Sequence, residues 1–311
     1  MPKYTVMLAR FPGGYQECPE STEWCMKTIL QMRQDPRIEN VFSWWRADTP
    51  IPMVRNLAVR EAIKKGVDYL LMIDSDMAPD CEVGVDPDAK PFWPTAFDLA
   101  LAANFPCVIG APYCGPPPHE NVYVFQWTTH ESNTPYDNGA LIQFSRNEAA
   151  QRVGIEEVAA LPTGLILFDM RAFKMLPSNQ PYFDYEYTDG WETKKATTED
   201  VFTTRNLSML GVPQLVLWDS WAGHVKRKIV GKPVINTIEQ VAESLREPLV
   251  ARRSINDRVI NLDAINKLGI PISMALPNRV LEVQSETSTA VKRDHPKPPW
   301  DRDELVGDVI D

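Results

Sequence analysis

Tyr69-Leu70-Leu71-Met72-Ile73-Asp74-Ser75-Asp76 decides how this chain is read. Five apolar residues run into two carboxylates set one residue apart. A run this short and apolar, following a helix-like segment and Gly66, predicts a strand buried on both faces, as in a parallel sheet. In open α/β sheets ligands bind just beyond the carboxyl ends of the strands. Asp74, Ser75 and Asp76 are therefore expected at the ligand-binding rim. Residues two apart on an extended chain point the same way, so Asp74 and Asp76 could converge on one hard divalent cation or a metal-bound diphosphate. The same residues also read as a strand end entering a solvated turn, Asp76-Met77-Ala78-Pro79-Asp80. The flanking segments bear on that choice.

Upstream, residues 3 to 9 read as a first strand that ends at Arg10-Phe11-Pro12-Gly13-Gly14. Pro-Gly-Gly forces a loop. It is neither a Walker loop nor a dinucleotide fingerprint, because Gly-Lys-Ser/Thr and G-x-G-x-x-G are both absent. A helix is expected from Ser21, as N-cap, to about Gln34, with Trp24 on its buried side. Ile38 to Trp45 predicts a second strand, leading to Arg46-Ala47-Asp48. Pro52 opens a helix through Lys65 that Gly66 stops. Arg55 and Asn56 fall in its first turn, where backbone donors and the helix dipole favour anions.

Downstream, a helix is expected over Pro94 to Asn104 and a buried strand over Pro106 to Pro112. Residues 115 to 140 read as an excursion over the site. Leu165 to Phe168 is apolar, and Met170 to Leu176 is helical in pattern. Residues 177 to 197 form a polar, aromatic loop carrying Tyr182, Phe183, Tyr185, Tyr187 and Trp191, which reads as a lid over a site or as aromatic packing under a long loop. Thr198-Glu199-Asp200 opens a helix to Leu210, and Pro213 to Trp218 predicts a further strand before His224. After about Gly231 the pattern turns to amphipathic helix, and from about Ser285 it is polar and proline-bearing. The expected organisation is an α/β domain over 1–230, a helical extension over 231–284 that could mediate homo-oligomerisation, and an extended tail over 285–311.

Composition limits the function classes. At 311 residues and 44% hydrophobic content the chain can bury a large core. No apolar run approaches the roughly 20 residues that cross a bilayer, and the N-terminus shows no secretory pattern. Five cysteines without C-x-x-C spacing read as reduced thiols of a cytoplasmic protein. Four histidines make a multi-His cage a poor fit. A net charge of −10 argues against a broad grip on nucleic acid, though Val225-Lys226-Arg227-Lys228 is a local basic patch.

Taken together, these segments resemble the GT-A glycosyltransferases, especially the family-2-like group, over about residues 3 to 228. The resemblance is carried by Arg55-Asn56-Leu57-Ala58 followed by Asp68 to Asp76, by Pro162-Thr163-Gly164-Leu165 with Met170-Arg171-Ala172-Phe173, by Thr198-Glu199-Asp200 with Arg205 and Gly211, and by the late His224. It implies a Rossmann-like mixed, mostly parallel sheet flanked by helices. It also implies a metal-dependent transfer of sugar from a nucleoside-diphosphate sugar, with Mn2+ or Mg2+, to an acceptor hydroxyl the sequence does not name. The Q-x-x-R-W motif of processive synthases is absent, so single transfer is expected. Under this reading Asp76 coordinates the metal directly. Asp74 holds metal-bound water or the ribose, and His224 completes the metal shell as a neutral imidazole. Arg55 pairs with the diphosphate, and Arg10 and Asp48 touch base or ribose. An inverting enzyme needs a carboxylate base at the acceptor hydroxyl. Asp200 is the candidate and Glu199 the second, although acidic residues also favour a helix's first turn for capping alone. The alternatives are a non-catalytic sugar-nucleotide-binding protein and an Asp-based phosphohydrolase. The second lacks the Thr or Val expected two residues after Asp76, where Ala78 stands.

Overall fold

A computed structural model describes residues 2–12, 17–47, 50–103, 105–115, 121–127, 141–187, 195–226 and 229–230. The chain divides into Met1–Pro277 and Asn278–Asp311, and every described residue belongs to the first unit. Asp48, Trp191, Arg227, Lys228, the expected helical extension over 231–284 and the tail over 285–311 lie outside the described residues.

The first half contains β1 (Tyr4–Phe11), α1 (Pro19–Gln34), β2 (Ile38–Trp45), α2 (Ile51–Lys64) and β3 (Tyr69–Asp74). Then come β4 (Met77–Ala78), α3 (Phe92–Ala102), β5 (Val108–Gly110), β6 (Phe125–Trp127), β7 (Leu141–Gln143), α4 (Arg146–Ala150) and β8 (Ile155–Val158). The remainder is β9 (Leu165–Asp169), α5 (Met170–Phe173), β10 (Glu186–Tyr187), β11 (Lys195–Thr197), α6 (Glu199–Met209), β12 (Gln214–Leu217), β13 (Gly223–Val225) and β14 (Ile229–Val230).

Seven strands form the central sheet in the order β2-β1-β3-β9-β5-β12-β8. β2, β1, β3, β5 and β12 run one way, and β9 and β8 run against them. The result is a mixed α/β fold with a largely parallel sheet flanked by helices, consistent with a Rossmann-like arrangement. Strand alternation divides the core between two faces. Val6, Leu8, Leu71 and Ile73 pack with Trp24 and Cys25 of α1 and with Phe92, Trp93 and Phe97 of α3. Met7, Ala9, Leu70 and Met72 pack with Val54, Ala58 and Ala62 of α2 and with Leu207 of α6. Burial on both faces explains why β3 reads as an unbroken apolar run. Among the described residues no helix is long and apolar enough to cross a membrane.

Local signals set the helix ends. α2 closes where Gly66 takes a φ of 65°, a conformation that favours glycine. α1 begins two residues before the expected Ser21. Cys18 is its N-cap, with a thiol that accepts from the Ser21 amide at 3.4 Å, and Pro19 supplies a pre-set first helical φ. Ser21 itself is buried and donates its hydroxyl to the Asp74 carbonyl at 3.5 Å.

Candidate functional site

β3 stops at Asp74, and Ser75 and Asp76 form a turn. The expectation that Asp74 and Asp76 project together from extended chain therefore does not hold. The turn is built in rather than loosely solvated. The Cys18 amide donates to the Ser75 carbonyl at 2.8 Å, and the Val225 amide donates to the Asp76 carbonyl at 2.7 Å. Met77 and Ala78 are buried and pair with His224 and Gly223 of β13. Asp80 follows with a φ of 57°, in the left-handed region that Asp tolerates better than most residues. Its carboxylate accepts from the Trp24 indole at 2.6 Å and the Phe92 amide at 2.7 Å. Burial pushes the Asp80 pKa up, and those two bonds oppose the push.

Pairing with β4 brings His224 to Asp76. The His224 Nδ1 lies 2.9 Å from the Cys114 carbonyl, and its Nε2 lies 3.2 Å from Asp76 Oδ2. A carbonyl only accepts, so the network assigns a proton to Nδ1. Nε2 then faces an anionic oxygen with either a second proton or a bare lone pair. A lone pair against a carboxylate is satisfied by a cation held between them, and carbonyl anchoring of the far nitrogen is how metal-binding imidazoles are commonly oriented. Lys226 donates to the same Asp76 oxygen at 2.5 Å. Burial works to raise the Asp76 pKa, but the contacts with His224 and Lys226 outweigh it and bring it down to about 2. Tyr113 stands edge-on to the imidazole with ring centroids 5.2 Å apart.

Asp74 turns to a different partner. One terminal nitrogen of Arg55 donates to both Asp74 oxygens, at 2.8 and 3.0 Å, and the other donates to Glu199. The Arg55 side chain is only 3% exposed, so the expectation that it grips a diphosphate is corrected: its guanidinium is committed to two carboxylates. Among the described residues no three His, Cys, Asp or Glu side chains converge as a metal cluster. The expected triad of Asp74, Asp76 and His224 is thus reduced to the pair Asp76 and His224, because Arg55 holds Asp74. Burial raises the Asp74 and Glu199 pKa values, and the charge of Arg55 opposes the rise in both.

Asp200 opens α6 beside this cluster and bears electrostatically on Asp74 and Glu199. It accepts from the Thr198 hydroxyl and, at 2.8 Å, from the Val201 amide. Among the described residues, four carboxylates, Asp74, Asp76, Glu199 and Asp200, therefore share this rim with two cations, the buried Arg55 and the half-exposed Lys226. That imbalance suits an additional cation. Arg10, at the end of β1, pairs with Glu17 at 3.1 Å, and Ser75 lies in the turn between the two aspartates.

Further residues shape the site in ways their sequence context does not give. The Asn56 side-chain oxygen accepts from the Tyr182 and Phe183 amides at 2.8 and 3.1 Å, and its amide donates to the Phe183 carbonyl at 2.8 Å. Asn56 thus pins the start of the aromatic segment to α2 rather than meeting an anion. Tyr113 follows β5 at the sheet rim and packs so closely on Gly164 that a Cβ there would sit 2.7 Å from its ring. Its position after an apolar strand was the available signal. Lys226 stands two residues after His224, the spacing that puts strand neighbours on one face.

No family model and no curated protein matches this chain. Solved structures that align with this chain include A197 from STIV, at 13% identity and a TM-score of 0.42, covering 75% of this chain and 95% of that one. GalNAc-T7, crystallised with UDP, GalNAc and Mn2+, is 11% identical with a TM-score of 0.38 over 73% of this chain. This chain spans only 44% of the GalNAc-T7 chain. A Bacillus anthracis protein assigned as a glucose-1-phosphate thymidylyltransferase is 10% identical with a TM-score of 0.37, covering 78% of this chain and 94% of that one. At these TM-scores none of the three fixes a family.

Proposed function

We propose that this chain is a divalent-cation-dependent glycosyltransferase of the GT-A type. It would move one sugar from a nucleoside-diphosphate donor to an acceptor hydroxyl. The observation that carries the reading is the pairing of Asp76 with His224 at the sheet rim, the imidazole's Nδ1 proton being held by the Cys114 carbonyl. One carboxylate oxygen and one imidazole nitrogen would hold part of the shell of Mn2+, and Mg2+, which takes oxygen ligands, is the poorer fit of the two. A cation bound there supplies neutralisation of the charge that develops on a leaving diphosphate.

The chain's own residues carry the other roles. Asp76 and His224 would hold the cation. Asp200 takes the proton of the acceptor hydroxyl as its oxygen bonds to the anomeric carbon and the anomeric carbon–phosphate oxygen bond breaks, the assignment appropriate to inversion. Glu199, bonded to Arg55, fixes the helix start from which Asp200 projects. Asp74, bonded to the same guanidinium, joins that helix start to the end of β3. Arg10 and Ser75 are assigned to the nucleotide side of the rim, and Tyr182 and Tyr185 to the acceptor side.

Thermal unfolding across a panel of nucleoside diphosphate sugars, with and without Mn2+, tests the reading. A ligand that binds only the native state raises the melting temperature. The expected result is a rise for one donor that requires Mn2+ and disappears in Asp76→Ala. Release of free phosphate from a monoester, with no donor-dependent shift, would favour the phosphohydrolase instead. A donor-dependent shift without any transfer or donor hydrolysis would favour the binding protein.

A further inference from the structure

We propose that Lys226 is a built-in counter-ion that occupies the cation's place on Asp76 and must leave before a divalent cation enters. The proposal rests on the reading of Asp76 and His224 as cation ligands. Its basis is that two groups converge on one atom: Asp76 Oδ2 receives His224 Nε2 at 3.2 Å and Lys226 Nζ at 2.5 Å. Both arrive from β13 and its continuation, which the Val225 amide locks to the Asp76 carbonyl at 2.7 Å. Residues on either side of Val225 thereby share the face that meets Asp76.

The two partners differ in how firmly they are held. His224 is anchored from behind by the Cys114 carbonyl, and its side chain is 11% exposed. Lys226 is 44% exposed and reaches Asp76 from the solvent side through a flexible stem. A pair this open is weak and readily exchanged. An ammonium and a divalent cation on one carboxylate oxygen would lie at contact distance and repel each other, so the two compete for Asp76. His224 is therefore the fixed ligand and Lys226 the movable one. Without a cation, the Lys226 ammonium pairs with the Asp76 carboxylate. With one, Lys226 swings out as a free ammonium.

The experiment is a Mn2+ titration of the full chain, followed by the electron paramagnetic resonance signal of free Mn2+, with and without UDP, GDP, CDP or dTDP. Wild type is compared with Lys226→Ala, Lys226→Gln, Lys226→Arg and Asp76→Asn, each first checked for cooperative unfolding. Removing the competing charge should tighten Mn2+ binding by about three- to tenfold in Lys226→Ala and Lys226→Gln. Lys226→Arg should stay within about twofold of wild type, since it keeps the charge. Binding that emerges only once Lys226 is neutralised also supports the proposal. If wild type binds Mn2+ through Asp76 while both neutral variants bind equally or more weakly, the counter-ion role is overturned and the cation site stands. If no variant binds Mn2+ under any condition, both this proposal and the glycosyltransferase reading fall.

Discussion

The Cys114 carbonyl and the His224 ring meet at 2.9 Å across 110 residues of chain. That contact fixes the imidazole tautomer and turns Nε2 toward Asp76. Because the acceptor is backbone, the Cys114 side chain is dispensable for it. Cys114→Ala should therefore leave Mn2+ affinity within about twofold, at a stability cost of about 1 kcal/mol for the lost buried volume. His224→Ala should lower affinity at least about tenfold. Calorimetric titration with Mn2+ measures both.

Arg55 bridges Asp74 and Glu199 in a nearly closed environment, with its own side chain 3% exposed. Arg55→Ala would leave both carboxylates without their partner. Removing one member of a buried charge network typically costs about 3–5 kcal/mol. Urea unfolding should show a loss of that order, and Arg55→Lys should recover only part of it, because an ammonium lacks the fork that reaches both acids.

Asp76 sets a pH dependence whose sign follows from its depressed pKa. The carboxylate falls from an ordinary 3.8 to about 2 in the folded chain. Its stabilising contribution is thus fully present above pH 3.8 and is lost as pH falls through about 2. Asp76→Asn should flatten the acid limb of the stability curve between those two values. Melting temperatures at closely spaced acidic pH, wild type against variant, test this, and parallel curves would refute the assignment.

Gly164 lets the Tyr113 ring approach to within the space a Cβ would need. Gly164→Ala should cost about 1–3 kcal/mol by overpacking. The two residues should couple, so that Gly164→Ala combined with Tyr113→Leu loses less than the sum of the single changes. A double-mutant cycle by chemical denaturation supplies the number.

Asp200 is proposed to accept the acceptor's proton. Asp200→Asn should reduce transfer by about 10²–10⁴-fold and leave Mn2+-dependent donor binding unchanged. Glu199→Gln should instead lower the melting temperature, because Glu199 is buried against Arg55. Loss of donor binding in Asp200→Asn would place Asp200 in the cation site rather than at the acceptor.

Much of the scaffold was legible because it rests on local patterns. The apolar run of β3, the Pro and Gly that bracket α2, and the Thr-Glu-Asp opening of α6 all declare themselves in sequence. The observed Ile38–Trp45 strand has the expected bounds. What failed was the inference from spacing to direction at Asp74 and Asp76. That inference assumed extended chain, and the chain turns at Ser75. Arg55 was misjudged for a related reason. A helix-start arginine suits an anionic ligand, but two carboxylates distant in sequence, Asp74 and Glu199, meet it first. The Cys114 carbonyl leaves no trace in side-chain chemistry, so only the folded chain reveals it. Lys226 could have been found from its even spacing with His224, had the strand been recognised.

Asp76 and His224 are proposed to bind one divalent cation together. Pulsed electron paramagnetic resonance of the Mn2+-loaded chain with a nucleoside diphosphate measures this directly, through the nuclear coupling of a ligating nitrogen. A coupling from one imidazole nitrogen is expected, lost in His224→Ala, with no tight Mn2+ binding in Asp76→Asn. Mn2+ bound without nitrogen coupling, or bound equally well by Asp76→Asn, would contradict it.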